Sequence, residues 1–148
     1  MNPTDVKAFL AAMSSPDAAV RDGAGKDVPR LSPADAGVVL PGLADLMGSA
    51  DPATAKAAKS AMERFVHQSL APPAGKDHPD GRARSGVADP LREIAASPRP
   101  RLVRAHALAL LGFAGDGRDE RAIAGMEPDP DLGQNARMAR RRIRSVRY

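Results

Sequence analysis

A short apolar pattern returns along this chain and restricts its fold more than any other feature. Val20-Arg21 is followed by Ala24, Val28 and Leu31, and Val103-Arg104 by Ala107, Leu110 and Leu111. A fainter version runs through Leu132, Ala136, Ala139 and Ile143. Steps of three and four place such residues on one helical face, because an α-helix turns once in about 3.6 residues. Recurrence at intervals of roughly 30 to 50 residues marks stacked helical units, each of which buries its apolar face only against a neighbour. The fold class that follows is all-α, and such an array has no built-in chemistry.

Composition leads the same way. Aromatic residues make up 3% of the 148 and Trp is absent, so Ala, Leu, Val and Met must fill the core. Alanine is the strongest helix former, and its small side chain allows close helix packing. The length suits one domain over residues 1–148. With no Cys, disulfides, thiolate metal sites and cysteine nucleophiles are excluded. Met1-Asn2-Pro3-Thr4-Asp5 lacks the basic start of a secretory signal, and the longest apolar run, Ala105 to Ala114, is too short to cross a bilayer. The expectation is a soluble cytoplasmic protein with no membrane span.

Capping and breaking residues divide the chain into helix pairs. Thr4 is the expected N-cap of a helix through Val6, Phe9, Leu10 and Met13, which Ser14-Ser15-Pro16-Asp17 ends. The second helix carries Val20, Ala24 and Val28, weakened by Gly23 and Gly25 and closed near Pro29. Ser32-Pro33-Ala34-Asp35 opens a helix from Val38 to Met47 with Pro41 inside it, and Asp51-Pro52 starts its partner, with Thr54, Ala58, Ala61, Met62 and Phe65 inward. Residues 71–84 are Pro/Gly-rich and polar, which predicts a long loop. A third pair is expected from Asp89-Pro90 through Ile94 and from Leu102 to Phe113. After a turn over Gly112 to Gly117 come a short helix with Ala122, Ile123 and Met126 and, past Pro128-Asp129-Pro130-Asp131, an Arg-rich helix.

These residues resemble a known family. Leu40-Pro41-x-Leu43-x-x-Leu46-Met47 with Asp51-Pro52 is similar to the first helix and turn of a HEAT repeat, including its helix-kinking proline. Pro16-Asp17-x-x-Val20-Arg21-x-x-Ala24 and Val103-Arg104-x-x-Ala107-x-x-Leu110-Leu111 resemble the start of the second helix. The resemblance implies a small right-handed α-solenoid (armadillo-type fold) of about four HEAT-like hairpins. It also implies a ladder of turn Asp and following Arg between adjacent repeats, with Asp17, Asp51, Arg21, Lys56 and Arg104 as candidates. The pattern departs at Ala55-Lys56, at Arg99-Pro100 and at Leu132-Gly133, so the ladder would be incomplete.

Charge is uneven. Residues 1–70 hold seven Lys/Arg against eight Asp/Glu, and residues 71–148 hold fifteen against ten, with Arg137, Arg140, Arg141, Arg142, Arg144 and Arg147 gathered at the end. A basic end attracts an acidic partner, and Arg is also favoured at a helix C-terminus by the macrodipole. No phosphate-binding loop, nucleophile elbow, zinc-protease helix or dinucleotide-binding glycine pattern is present. Asp77-His78-Pro79-Asp80 puts one imidazole between carboxylates, but without a second His nearby a solvated loop is the better reading. His106 reads as a half-buried helix histidine rather than a catalytic base.

The functional expectation is a non-catalytic protein-binding adaptor or scaffold without cofactor or metal. As the resemblance implies, it would use the surface lined by second helices. Positions two, five and nine beyond each Val-equivalent should face away from the core: Ala57, Ser60 and Arg64, then Ala105, Leu108 and Gly112, then Gln134, Arg137 and Arg141. The candidate partner-binding residues are Arg64, Arg101, Leu108, Arg137, Arg141 and Arg144, facing a protein with an acidic surface or segment. The alternative is a nucleic-acid binder using the Arg-rich helix, against which stand the scattered aromatics Phe9, Phe65, Phe113 and Tyr148.

Overall fold

The structure, a computed structural model, describes the backbone over residues 3–145 and the side chains over 5–145. The expected Thr4 cap and the residues Arg147 and Tyr148 lie outside the described side chains. Eight helices run in order: α1 (Pro3–Met13), α2 (Ala18–Lys26), α3 (Ala36–Met47), α4 (Pro52–Ser69), α5 (Gly81–Ala96), α6 (Arg101–Ala114), α7 (Gly117–Ala124) and α8 (Gly133–Ser145). Two 3-10 turns, Val28–Arg30 and Pro33–Asp35, link α2 to α3. Among the described residues there is no strand.

Consecutive helices pair: α1 with α2, α3 with α4, α5 with α6, α7 with α8. Odd-numbered helices also touch the next odd one, α1 to α3 to α5 to α7, and even-numbered helices do the same, α2 to α4 to α6 to α8. The contact of α6 with α8 is extensive, whereas α2–α4 and α4–α6 touch lightly. The helices of the later hairpins are therefore closely sandwiched, and a gap is left between α2 and α4.

A small polar device turns each hairpin. The Ser15 hydroxyl accepts the Asp17 N–H, and the Asp17 carboxylate then accepts from Ala19 at the start of α2. Ser49, Asp51 and Ala53 repeat this geometry at α4, where Thr54 also donates to Asp51 at 2.8 Å. That hydroxyl is the first reason the Asp51 carboxyl sits below its ordinary range, with the Ala53 N–H and the charge of Arg21 adding to it. At the third turn Ser97 accepts from Arg99, and at the fourth Asp129 accepts from Asp131 and Leu132. Each such cap satisfies backbone donors that the helix leaves unpaired and contributes about 1 kcal/mol.

The expected Asp–Arg ladder takes another form. Arg21 donates to the Ser15 carbonyl at 2.8 Å and Arg104 to the Ala95 carbonyl at 2.8 Å, so each arginine fastens the turn of its own hairpin. Hairpins are tied to one another elsewhere: Arg99 to Asp45 at 3.1 Å, Arg92 to Asp119 at 2.5 Å, and Gln68 to the Val28 carbonyl at 2.7 Å.

The start of α5 also corrects the sequence reading. The helix begins at Gly81 and not at Asp89, because Asp80 caps it by accepting from Ala83, so the expected loop over 71–84 shortens to 70–80. Pro90 then lies inside α5 as Pro41 lies inside α3. A proline ring removes one hydrogen bond and crowds the carbonyl four residues earlier, and in both helices that residue is glycine, Gly37 and Gly86. The two helices share the string Gly-Val-x-x-Pro and pack against each other.

The core runs unbroken from Val6 and Phe9 through Leu40, Leu43, Met62, Phe65, Leu91 and Leu111 to Ile123, Leu132 and Ile143. Ala24, Val28, Ala58, Ala107, Leu110 and Ala136 lie in it as their spacing predicts. Val20 does not, being 43% exposed. It lines an open cleft between α1 and α2 with Phe9 and Ala24.

Candidate binding surface

The outward face of the even-numbered helices is set by which side of α6 is covered. Ala107, Leu108, Leu111 and Gly112 are buried. A Cβ placed on Gly112 would lie 3.2 Å from the Ala139 Cα of α8, so this glycine is the point where α6 and α8 approach closely. The apolar residues left facing solvent are Leu102, Ala109 and Phe113, stepped by seven and four residues; Leu102 is 73% and Phe113 37% exposed. These two apolar side chains are separated by eleven residues, or about 16 Å along the helix axis at about 1.5 Å per residue.

Leu108 and Gly112 therefore leave the expected surface set. The outward face lies one position later than the repeat spacing indicates, because α8 presses on α6 from the side that a helix in an isolated hairpin would leave open. Of the other expected positions, Ser60, Arg64, Gln134, Arg137 and Arg141 are exposed, and Ala57 and Ala105 are half-buried.

Phe113 is held by both neighbours. The His67 ring of α4 meets it edge-on with centroids 5.1 Å apart, and the Arg142 guanidinium of α8 sits 4.0 Å from its centroid. A cation over an aromatic face is attracted by the ring quadrupole, worth about 0.5–1 kcal/mol at an exposed site. These contacts join three helices across the face and fix an aromatic side chain that would otherwise swing freely. Met138, 54% exposed, lines a shallow hollow on α8 with Arg141, Arg142 and Ser145. Sequence spacing identified neither Phe113 nor Met138 as a surface residue.

Beneath this face His106 lies largely buried, its Nε2 3.7 Å from the Glu63 Oε1 of α4 and without a hydrogen-bond partner. Burial pushes its pKa down from 6.5; the Glu63 charge opposes that shift and the Lys59 charge adds to it. No group of His, Asp and Glu among the described residues could hold a metal ion. In the 70–80 loop Asp80 is committed to capping α5.

Ion pairs gather around the start of α7: Arg84 to Asp116 at 3.1 Å, Arg92 to Asp89 and Asp119, Arg118 to Asp116 at 3.0 Å, while Arg82 and Arg121 on the odd-numbered helices are exposed and form no ion pair among the described residues. The Asp116 carboxyl is pulled down to about 2, first by Arg118 and then by Arg84. On the even-numbered helices Lys26, Lys56, Lys59, Arg64, Arg137 and Arg141 are exposed and form no ion pair among the described residues. The remaining candidates are engaged: Arg101 with the Asp131 carbonyl at 3.1 Å, Arg144 with Glu120 at 3.0 Å, and Arg140 with Glu127 at 2.7 Å.

Neither a protein-family model, nor a curated protein, nor a solved structure matches this chain. No described helix is long and apolar enough to cross a membrane.

Proposed function

We propose that this protein is a non-catalytic binding module, a small right-handed α-solenoid of four HEAT-like hairpins that takes an acidic segment of another protein on its even-numbered helices. The observation that carries the reading is Phe113, kept partly exposed between His67 and Arg142 on a face that also carries Arg137 and Arg141, which form no ion pair among the described residues. Unpaired cations of this kind steer acidic partners and orient them. Leu102 and Phe113, about 16 Å apart along α6, give a partner two apolar anchors, and Arg64, Arg137 and Arg141 flank them.

The partner-binding set is accordingly Arg64, Leu102, Phe113, Arg137, Met138 and Arg141. A nucleic-acid ligand is the second reading, favoured by the three outward arginines of α8, Arg137, Arg141 and Arg142. The engagement of Arg140 and Arg144 with Glu127 and Glu120 leaves that helix fewer phosphate contacts than its sequence suggests.

Capture of partners from native lysate by the immobilised protein tests the reading. Arg137→Glu with Arg141→Glu should weaken capture at least tenfold while leaving the thermal midpoint nearly unchanged, since exposed charges contribute little to folding, and Phe113→Ala should weaken it as much with a modest loss of stability from the contacts it gives up. Undiminished capture by both variants would place the interface elsewhere. Salt-sensitive binding of a duplex oligonucleotide stronger than any protein capture would favour the second reading.

A further inference from the structure

The gap between α2 and α4 is a cleft of about 470 Å³ with an unusual lining. Arg21, Lys26, Lys56 and Arg64 line it with a single acid, Asp22, and Ser60 supplies a hydroxyl. The walls between these groups are small or apolar: Met13, Gly25, Ala53, Ala57 and Ala61. Arg64 reaches over the cleft, its Nη1 3.9 Å from where a Gly25 Cβ would lie, and a side chain at Gly25 would narrow the opening. Arg21 is rigid: it is 8% exposed and its Nη1 is tied to the Ser15 carbonyl.

Like charges lining one cleft repel one another, and Lys26, Lys56 and Arg64 form no ion pair among the described residues that would offset this. A set of four cations over one acid is therefore matched by a ligand carrying more than one negative charge. A phosphoryl group fits: at neutral pH it bears about 1.5 to 2 negative charges and three strong acceptor oxygens. Arginine pairs with it bidentately and lysine as a point charge. The cleft is larger than a phosphoryl group and lies within the roughly 300–1,000 Å³ typical of ligand sites, which leaves room for the frame that carries the group.

We infer that the α2/α4 cleft binds a phosphomonoester, with Lys26, Lys56 and Arg64 contacting the phosphoryl oxygens and Arg21 as a fixed cation at the back. The phosphoryl group belongs either to a small metabolite or to a modified side chain of a peptide. This goes beyond the docking face on α6 and α8, shares only Arg64 with it and does not depend on it.

Isothermal titration of the full chain with inorganic phosphate, glucose 6-phosphate and a phosphoserine hexapeptide, alongside the unphosphorylated hexapeptide, tests the assignment. Phosphorylated probes should bind and the unphosphorylated peptide should not. The tighter of glucose 6-phosphate and phosphopeptide identifies the source of the group. Lys56→Gln with Arg64→Gln should weaken binding at least tenfold, whereas Arg137→Gln with Arg141→Gln on α8 should leave it within twofold. All four positions are exposed, and a helical circular dichroism spectrum confirms that each variant is folded. The assignment is overturned if no phosphorylated probe binds, if phosphorylated and unphosphorylated peptides bind alike, or if the two double variants lose affinity equally.

Discussion

Leu108 and Leu102 lie six residues apart on one helix and were both legible as apolar positions, yet the structure gives them opposite roles. Leu108 is fully buried where α6 meets its neighbours, and Leu102 is 73% exposed. Truncation to alanine removes three carbons. At about 0.8 kcal/mol per buried CH2, Leu108→Ala loses roughly 2.4 kcal/mol of transfer free energy. The unfilled space adds to that, and measured Leu→Ala changes in cores span about 2–5 kcal/mol. The expected cost is therefore about 2.5–4 kcal/mol, a large fraction of the ~5–15 kcal/mol that holds a typical domain together. Leu102→Ala should stay within about 0.5 kcal/mol of the parent. With no Trp to report unfolding, urea denaturation followed by circular dichroism at a helix wavelength is the suitable assay. In a domain of this size each kcal/mol moves the melting midpoint by about 2–4 °C, so Leu108→Ala should melt visibly earlier. Equal stability of the two variants, or a larger loss for Leu102→Ala, would refute the assigned rotation of α6.

Gly112→Val should destabilise by about 1–3 kcal/mol through overpacking against the Ala139 backbone, whereas Gly112→Ala should cost less, because its gain in helix propensity of about 1 kcal/mol offsets part of the crowding; paired melts distinguish them. His106 is held neutral by burial, so the unfolded chain takes up its proton first. Its contribution to stability is complete above 6.5 and is lost as pH falls below that value towards the lowered folded pKa, and His106→Gln should flatten that decline in urea midpoints measured from pH 7.5 to 5. Asp116 acts lower on the scale: its stabilisation is present above 3.8 and lost as pH falls through about 2, so Asp116→Asn should reduce acid sensitivity below pH 4 in a melting series. Residues 71–78 are exposed and Lys76 is the first basic residue past α4, so limited trypsin digestion should cut there before any helix, as mass spectrometry of the first fragments will show.

What the sequence made legible were features that depend on a residue and its neighbours three or four positions away. The recurring apolar steps located every helix pair, and Asp17 and Asp51 read as caps because an Asx cap is a local interaction with the backbone two residues on. The misreadings required knowledge of something distant. Asp89-Pro90 looks like a helix start because proline is favoured there, but Asp80 had already opened α5, and Pro90 lies in its interior. Val20 matches Val103 in pattern and differs from it in burial, since one lies in the first hairpin and the other between packed neighbours. Gly112 shows the same limit from the other side: read locally it signals a turn, and only the approach of Ala139 reveals it as a crossing point. The exposed stripe of α6 shifts for that reason. A helix touched on two sides cannot present the side opposite its hairpin partner, so its exposed stripe rotates until it faces neither neighbour. On α6 that rotation withdraws Leu108 and brings out Leu102 and Phe113, the aromatic that His67 and Arg142 then hold in place. The position of an interaction surface on stacked helices is thus set by the packing of the next hairpin, whose sequence lies some thirty residues further along the chain.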